Sequence, residues 1–323
     1  MAKVGVTGAS GFIAGALVPF LADRRHDLYL VDDGSGPIDV RYPAWPVDRR
    51  RFESPEALRE LARCDVVLHL GAISGVMACA RDPVGSARSN VEGTAELVRV
   101  CRDRRIPLAF ASSFAVVGAP ERLPVTESTP PAPTHEYARQ KAAGEALTIA
   151  LARDGGPSSA VVRQSNVYGG YRANGRYVAK GNVLQLFAQQ ARTGVLTVNA
   201  PGTQRRDFIH IADVVAHWEA IARYLLAARA SGEAATFNVA SGEALNVLEV
   251  ADRVAAAYAA RHPKAPRVRV EIVPNPRGGV ELVEPEFAVR REETERRLGL
   301  ACQQHVVTAL PEILDGASES PDA

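Results

Sequence analysis

Tyr137 and Lys141 stand four residues apart in Glu-Tyr-Ala-Arg-Gln-Lys, so on a helix they share one face. A phenol with its ordinary pKa of about 10 is a poor base at neutral pH. A nearby ammonium favours the phenolate and lowers that value. Such a tyrosine can take a proton from a hydroxyl group and return it. Ser113 closes a run that begins at Leu108, which places its hydroxyl to hydrogen-bond the same oxygen. A lone Tyr-x-x-x-Lys is common in ordinary helices, so its meaning depends on the elements that hold it.

Those elements begin with the first residues. Val4 to Val6 reads as a strand buried on both faces. Gly8 and Gly11 break it, and Phe12 to Leu21 reads as the following helix, with Phe12 and Ile13 in its first turn. Strand, glycine turn and helix make a cradle for a pyrophosphate. The glycines let backbone approach the anion, and the helix N-terminus offers free N–H groups and a positive dipole end. The turn lacks the Gly-Lys-Ser or Gly-Lys-Thr of a P-loop. Ala14 takes the third glycine place, where close helix–strand packing is the need, and Gly15 follows. Asp27 to Val31 reads as a second strand ending at Asp32. An acid there, about 20 residues past the glycine turn, accepts hydrogen bonds from ribose hydroxyls and repels the 2′-phosphate of NADP. Asp32 therefore predicts NAD. Asp65 to Ala72 reads as another buried strand, and Leu70, Gly71 and Ala72 form a small turn past which a nucleotide can run. In that setting the proton moved by Tyr137 accompanies a hydride exchanged with a nicotinamide, and Lys141 also holds the nicotinamide ribose. His69 interrupts an apolar run with no acidic or nucleophilic partner near in sequence, so a structural histidine is expected.

Composition narrows the remaining classes. The 323 residues, with 46% hydrophobic and 23% charged, suit a globular protein of one large or two modest domains. A net charge of +1 without a basic run gives nucleic-acid binding no support. No apolar stretch approaches the roughly 20 residues needed to span a membrane. The first residues run directly into a strand, so no leader and a cytoplasmic location are expected. The four cysteines form no Cys-x-x-Cys pair, which predicts free thiols and no metal site.

The rest of the chain alternates strands and helices. Pro37 to Phe52 reads as surface. Ser54 caps a short helix ending near Cys64, and Asn90 opens a long amphipathic helix through Arg104. Leu108 to Ala111 is a strand, Thr134 caps the helix of Tyr137 and Lys141, and Ser159 to Arg163 is a strand. The segment from Gln164 to Arg192 carries Arg172, Arg176 and Lys180 without an acid, and reads as a loop or as a cationic lid over an anionic ligand, with Leu184 to Arg192 helical. Arg205 to Ile211 is a short strand, Asp213 caps a helix, and Phe237 to Ala240, Val247 to Arg261, Val268 to Val273 and Arg290 to Leu298 read as strand, helix, strand and helix. The fold class is α/β, a Rossmann-type doubly wound parallel sheet with a smaller C-terminal α+β substrate domain. Residues 1–165, with a return segment at about 207–242, form the dinucleotide domain. Residues 166–206 and 243–315 form the substrate domain, and 316–323 a disordered tail.

The chain resembles the extended short-chain dehydrogenases/reductases of the nucleotide-sugar epimerase/dehydratase group. The resemblance rests on Thr7-Gly8-Ala9-Ser10-Gly11-Phe12-Ile13, the Asp65 to Ala72 strand, Asn90-Val91-Glu92-Gly93-Thr94, Ser112-Ser113, Tyr137 to Lys141, Arg163 to Gly169, Arg205 to Val214 and Phe237 to Gly242. It implies that Ser113, Tyr137 and Lys141 are catalytic and that Asn90 stands at the cofactor site. It also implies that Asn166, Asn182 and Arg206 contact a nucleoside-diphosphate sugar, with Arg206 and Arg277 on the diphosphate. Arg172 is added for a substrate carboxylate. A homodimer through the Asn90 and Thr134 helices follows by the same resemblance.

Three departures stand out. Pro-Arg277-Gly-Gly replaces the usual Arg-Pro-Gly-Asp, and Val117 replaces a tyrosine near the sugar pocket. Phe114 and Ala115 stand where the group's 4,6-dehydratases carry Asp-Glu to eliminate water, and Ala115 also removes the glutamate of its decarboxylases. The expected reaction is therefore 4-epimerisation of a UDP-hexose or UDP-uronic acid, in which a hydride leaves sugar C4, the 4-keto sugar turns, and the hydride returns to its other face. The alternatives are an NAD(P)-dependent 4-ketoreductase or dehydrogenase and a non-catalytic dinucleotide sensor.

Overall fold

The computed structural model describes residues 1–35, 42, 45–275 and 286–319. Arg277 lies outside them. Six strands arise in the first half: β1 (Lys3–Thr7), β2 (Asp27–Val31), β3 (Val47–Asp48), β4 (Val66–His69), β5 (Leu108–Ser113) and β6 (Ser159–Gln164). The second half adds β7 (Asn166–Tyr168), β8 (Gly170–Ala173), β9 (Arg176–Ala179), β10 (Val195–Asn199), β11 (Arg205–His210), β12 (Ala234–Val239), β13 (Ala244–Asn246) and β14 (Arg269–Val273). One parallel sheet runs β12-β6-β5-β4-β1-β2-β3. Every residue of β4 and β6 is buried, as central strands covered on both faces require.

The helices are α1 (Phe12–Asp23), α2 (Pro55–Leu61), α3 (Val76–Arg81), α4 (Pro83–Ala87), α5 (Thr94–Arg104), α6 (Glu136–Arg153), α7 (Val183–Ala191), α8 (Ile211–Ala227), α9 (Val247–Arg261), α10 (Glu292–Leu298) and α11 (Val306–Glu319). Leu17, Leu21, Trp218 and Ile221 of α1 and α8 seal one face of the sheet. Leu61, Leu97, Cys101 and Leu151 of α2, α5 and α6 seal the other. A second core joins Leu184 and Phe187 of α7, Val250 and Val254 of α9, and Leu310 and Ile313 of α11 with β10 and Phe208 of β11. Among the described residues, no helix is long and apolar enough to cross a membrane.

The strand order reverses between β1 and β4. In open parallel sheets the crevice beyond the carboxyl ends at such a reversal is the ligand site. Gly8, Asp32, Leu70, Ser113 and Gln164 lie at the carboxyl ends of β1, β2, β4, β5 and β6.

Several local expectations need correction. His135, not Thr134, caps α6, its Nδ1 accepting the Ala138 N–H at 3.2 Å. His210, not Asp213, caps α8; Asp213 sits in the first turn and accepts the Gln303 and Gln304 N–H groups at 2.9 Å each. Asn90 does not open α5 but lies inside a π-turn, Arg88–Gly93, that precedes it. Tyr42 and Phe52 are buried rather than on the surface. The expected cationic loop is an antiparallel hairpin, β8 paired with β9. Residues 316–319 continue α11 rather than beginning a disordered tail.

Candidate active site

The glycine turn is fixed by what lies against it. Gly8 has φ of 68°, and a Cβ there would sit 2.6 Å from the Gly71 backbone. Gly71 in turn donates its N–H to Thr7 Oγ1 at 3.0 Å, which ties the β4 turn to β1. Gly11 caps α1 without a side chain, so the first-turn N–H groups face outward for an anion. Phe12 is buried and Ile13 half-buried behind them. Asp32 accepts from Ser10 N–H at 3.2 Å and Gly34 N–H at 2.7 Å, one bond to each carboxylate oxygen, which leaves lone pairs for a ribose. These groups fit a dinucleotide.

Asn90 acts one step back. Its Oδ1 accepts from Ile73 N–H at 2.8 Å, and its Nδ2 donates to Ile73 O at 2.9 Å and to Gln140 Oε1 at 2.8 Å. The amide is therefore committed to holding the Leu70-Gly71-Ala72 turn against α6. His69 is structural: its ring bonds Thr7 Oγ1 at 2.7 Å and Thr94 Oγ1 at 3.0 Å, and burial, then the Lys141 charge, bring its pKa down to about 3.

The shift from Ala14 to Gly15 also has a local cause. A Cβ on Gly15 would meet the Tyr171 hydroxyl at 1.9 Å, because β8 lays Tyr171 across α1 with its ring 5.4 Å from that of Phe12. Gly15→Ala is expected to cost about 1–3 kcal/mol, the scale of overpacking. Thermal melts should show a smaller loss when Tyr171→Phe has first removed the hydroxyl; additive losses would place the clash elsewhere.

Tyr137 and Lys141 stand on successive turns of α6, with Lys141 Nζ 6.0 Å from the phenol ring centre. Nζ donates to Ala111 O at 2.7 Å, which leaves two of its donors free for a ligand. Burial pushes the phenol up, and the neighbouring Ser74 and Ser113 hydroxyls offset this only in part. The expected lowering by Lys141 is not what governs it, because the ammonium is turned to the Ala111 carbonyl. Burial brings the Lys141 ammonium itself down to about 8.

A cavity of about 680 Å³ opens beside the phenol. Ser113, Tyr137, Asn166, Asn182 and Arg206 all line it. Ser113 Oγ also accepts from Ala115 N–H at 3.2 Å. Asn182 caps α7 and donates to Val167 O at 2.8 Å, so its amide mainly shapes the wall. Asn166 donates to Asp207 O at 3.1 Å. Buried Asp207 accepts from Ser241 N–H at 2.9 Å and Gly242 N–H at 2.7 Å, which anchors β11 and hence Arg206. Arg172 and Arg176 are exposed on the hairpin, and neither they nor Lys180 are among the described wall residues of the cavity.

Sequence reasoning missed Ser74, His135, Gln164 and Gln204 on this wall. Gln164 Oε1 accepts the Trp218 indole N–H at 2.9 Å, which leaves its amide donors for the cavity. The signal for His135 was its place two residues before Tyr137; Ser74 had none beyond its place after β4.

A model of the NAD dependent epimerase/dehydratase family matches residues 4–240. The UDP-glucose 4-epimerase of Streptomyces lividans is 28% identical over 265 residues, 77% of this chain and 79% of that one. A putative UDP-glucose 4-epimerase of Methanocaldococcus jannaschii is 30% identical over 218 residues, 65% of this chain and 70% of its own. Among solved structures, a UDP-glucose 4-epimerase from Stenotrophomonas maltophila with bound NAD and formylated UDP-arabinopyranose has a TM-score of 0.81 at 22% identity, over 98% of each chain. TunA, an NAD-dependent NDP-hexosamine 5,6-dehydratase of tunicamycin biosynthesis, has a TM-score of 0.80 at 24% identity, over 98% of each chain. At these identities the two structures speak for the fold. With the family model matched from the first strand to the loop after β12, the chain belongs to the NAD-dependent epimerase/dehydratase family of enzymes.

Proposed function

We propose that the chain is a nucleotide-sugar 4-epimerase acting on a neutral hexose, UDP-linked as in the Streptomyces and Methanocaldococcus relatives. The observation that carries the reading is a cavity wall with a serine–tyrosine pair and no carboxylate among its described residues. Elimination of water calls for a carboxylate pair of the kind that Phe114 and Ala115 replace, whereas exchange at one carbinol calls only for the phenol. Arg206 is the one arginine or lysine among the described wall residues, which matches a diphosphate. We place the sugar nucleotide between a dinucleotide unit, residues 1–165 with a return segment at 207–242, and a sugar-nucleotide unit built from 166–206 and 243–315.

NAD in this cleft supplies a hydride acceptor that returns what it takes. Tyr137 takes the hydroxyl proton and gives it back. Ser113 holds the same oxygen, and Lys141 uses its two remaining donors on the nicotinamide ribose. Val76, Phe114, Phe208 and Phe287 line the cavity with apolar surface and limit water. The test is an NMR time course of the pure protein against UDP-, dTDP- and GDP-sugars without added cofactor. Two epimers at equilibrium, with no net NADH, support the reading. A product that has lost water, whether a 4-keto-6-deoxy sugar or an unsaturated one, would make it a dehydratase, and stoichiometric NADH a dehydrogenase.

The Lys141 role has its own pH signature. The lowered folded pKa means that the side chain is charged below about 8 and loses its charge above it. A dinucleotide anion binds the charged form better. NAD affinity is therefore expected to fall as pH rises through about 8, by at most about tenfold per unit. Lys141→Met should flatten that dependence; an unchanged slope would remove Lys141 from the cofactor.

A further inference from the structure

His135 lines the cavity beside Tyr137, and holding the helix uses only one of its two ring nitrogens. Ser, Thr, Asp and Asn are the strong N-cap residues, and histidine is not among them. The cap nevertheless settles the state of the ring. Nδ1 accepts the Ala138 N–H, so in the neutral imidazole the proton sits on Nε2. Burial, then the nearby Arg139 charge, holds the imidazole below its ordinary range, which favours that neutral form. The ring lies parallel to the Tyr137 phenol, 6° between planes and 6.2 Å between centres. Among the described residues Nε2 has no hydrogen-bond partner. The edge opposite the cap thus carries a neutral donor, on a residue of the cavity wall whose ring centre stands 6.2 Å from that of the phenol.

We propose that His135 is a sugar-binding residue, its Nε2–H donating to a sugar oxygen next to the one that Tyr137 serves. The inference rests on the nucleotide-sugar reading and deepens it. A neutral donor suits a hydroxyl and, unlike an ammonium, confers no demand for a substrate carboxylate. It orients the ring so that the reacting carbinol meets the phenol, and it makes no contact with the diphosphate, which belongs to Arg206.

His135→Ser tests this without losing the cap, since serine accepts from the same N–H. His135→Asn is the second variant, capped in the same way. Calorimetry would compare wild type and variants with whichever of UDP-, dTDP- and GDP-glucose the wild type binds, and with the matching free diphosphate. The nucleotide sugar is expected to bind about 3- to 10-fold more weakly to both variants, the scale of one neutral hydrogen bond. The free diphosphate should bind all three alike, and melting temperature and NAD content should not move. Equal affinity for the sugar nucleotide in all three proteins would overturn the inference. So would a matching loss for the free diphosphate. If the wild type binds none of the three sugar nucleotides, the nucleotide-sugar reading itself falls, a result distinct from either of these.

Discussion

Tyr137→Phe is expected to lower turnover by about 10²–10⁴-fold, the scale of lost general acid–base help. KM should stay within a few-fold, and bound NAD should be retained. The substitution removes one oxygen. The ring keeps its place beside His135 and below Lys141, so the fold has no reason to respond. The oxygen lost is the one that meets the Ser74 and Ser113 hydroxyls on the cavity wall, and in the proposed reaction it is the acceptor of the carbinol proton. Burial holds the phenol up, so the protonated form dominates at neutral pH. The measurement is a steady-state rate on the substrate found by NMR, with NAD released by heat and counted. Turnover near the wild-type level would remove Tyr137 from the chemistry.

The parts legible in the sequence were those set by local pattern. β2 is Asp27–Val31 and α9 is Val247–Arg261, both as read from apolar runs and caps. The central strands were visible because a strand buried on both faces is an unbroken apolar run. The parts that escaped depend on contacts between distant residues. Tyr171 decides why Gly15 is a glycine, across more than 150 positions of chain. Arg172 looked like a ligand contact because its neighbours lacked acids, but the hairpin turns it outward. The hairpin itself did leave a mark: Asn174-Gly175 is the favoured two-residue turn, and both take positive φ, 52° and 74°. Strands of four residues were too short to be read beside it. The histidine caps at 135 and 210 were missed because the commoner cap types stood close by.

Glu145→Ala is expected to destabilise the chain by about 3–5 kcal/mol, the range for leaving one partner of a buried ion pair alone. Glu145 on α6 and Arg163 on β6 are joined by two bonds, 2.9 and 2.8 Å, with side chains 2% and 4% exposed. Ser112 Oγ donates to the same carboxylate at 2.5 Å, and Arg163 reaches Thr129 O at 2.7 Å. Removing the carboxylate strands a guanidinium in the interior and a serine hydroxyl with it. Glu145 lies one helical turn past Lys141 and two past Tyr137, while Ser112 precedes Ser113. The ion pair therefore clamps the helix that carries the phenol to the strands that carry the serine and Gln164. Replacing both charges, as Glu145→Leu with Arg163→Met, should recover much of the loss, because no charge is then left buried alone. Denaturant melts of Glu145→Leu, Arg163→Met and the double close the cycle. The kinetic expectation separates this clamp from a mere core defect. In the double variant stability returns, but turnover stays below wild type, because apolar packing does not fix the register between α6 and β5 as directional bonds do. Full recovery of both stability and rate would show that the pair serves folding alone.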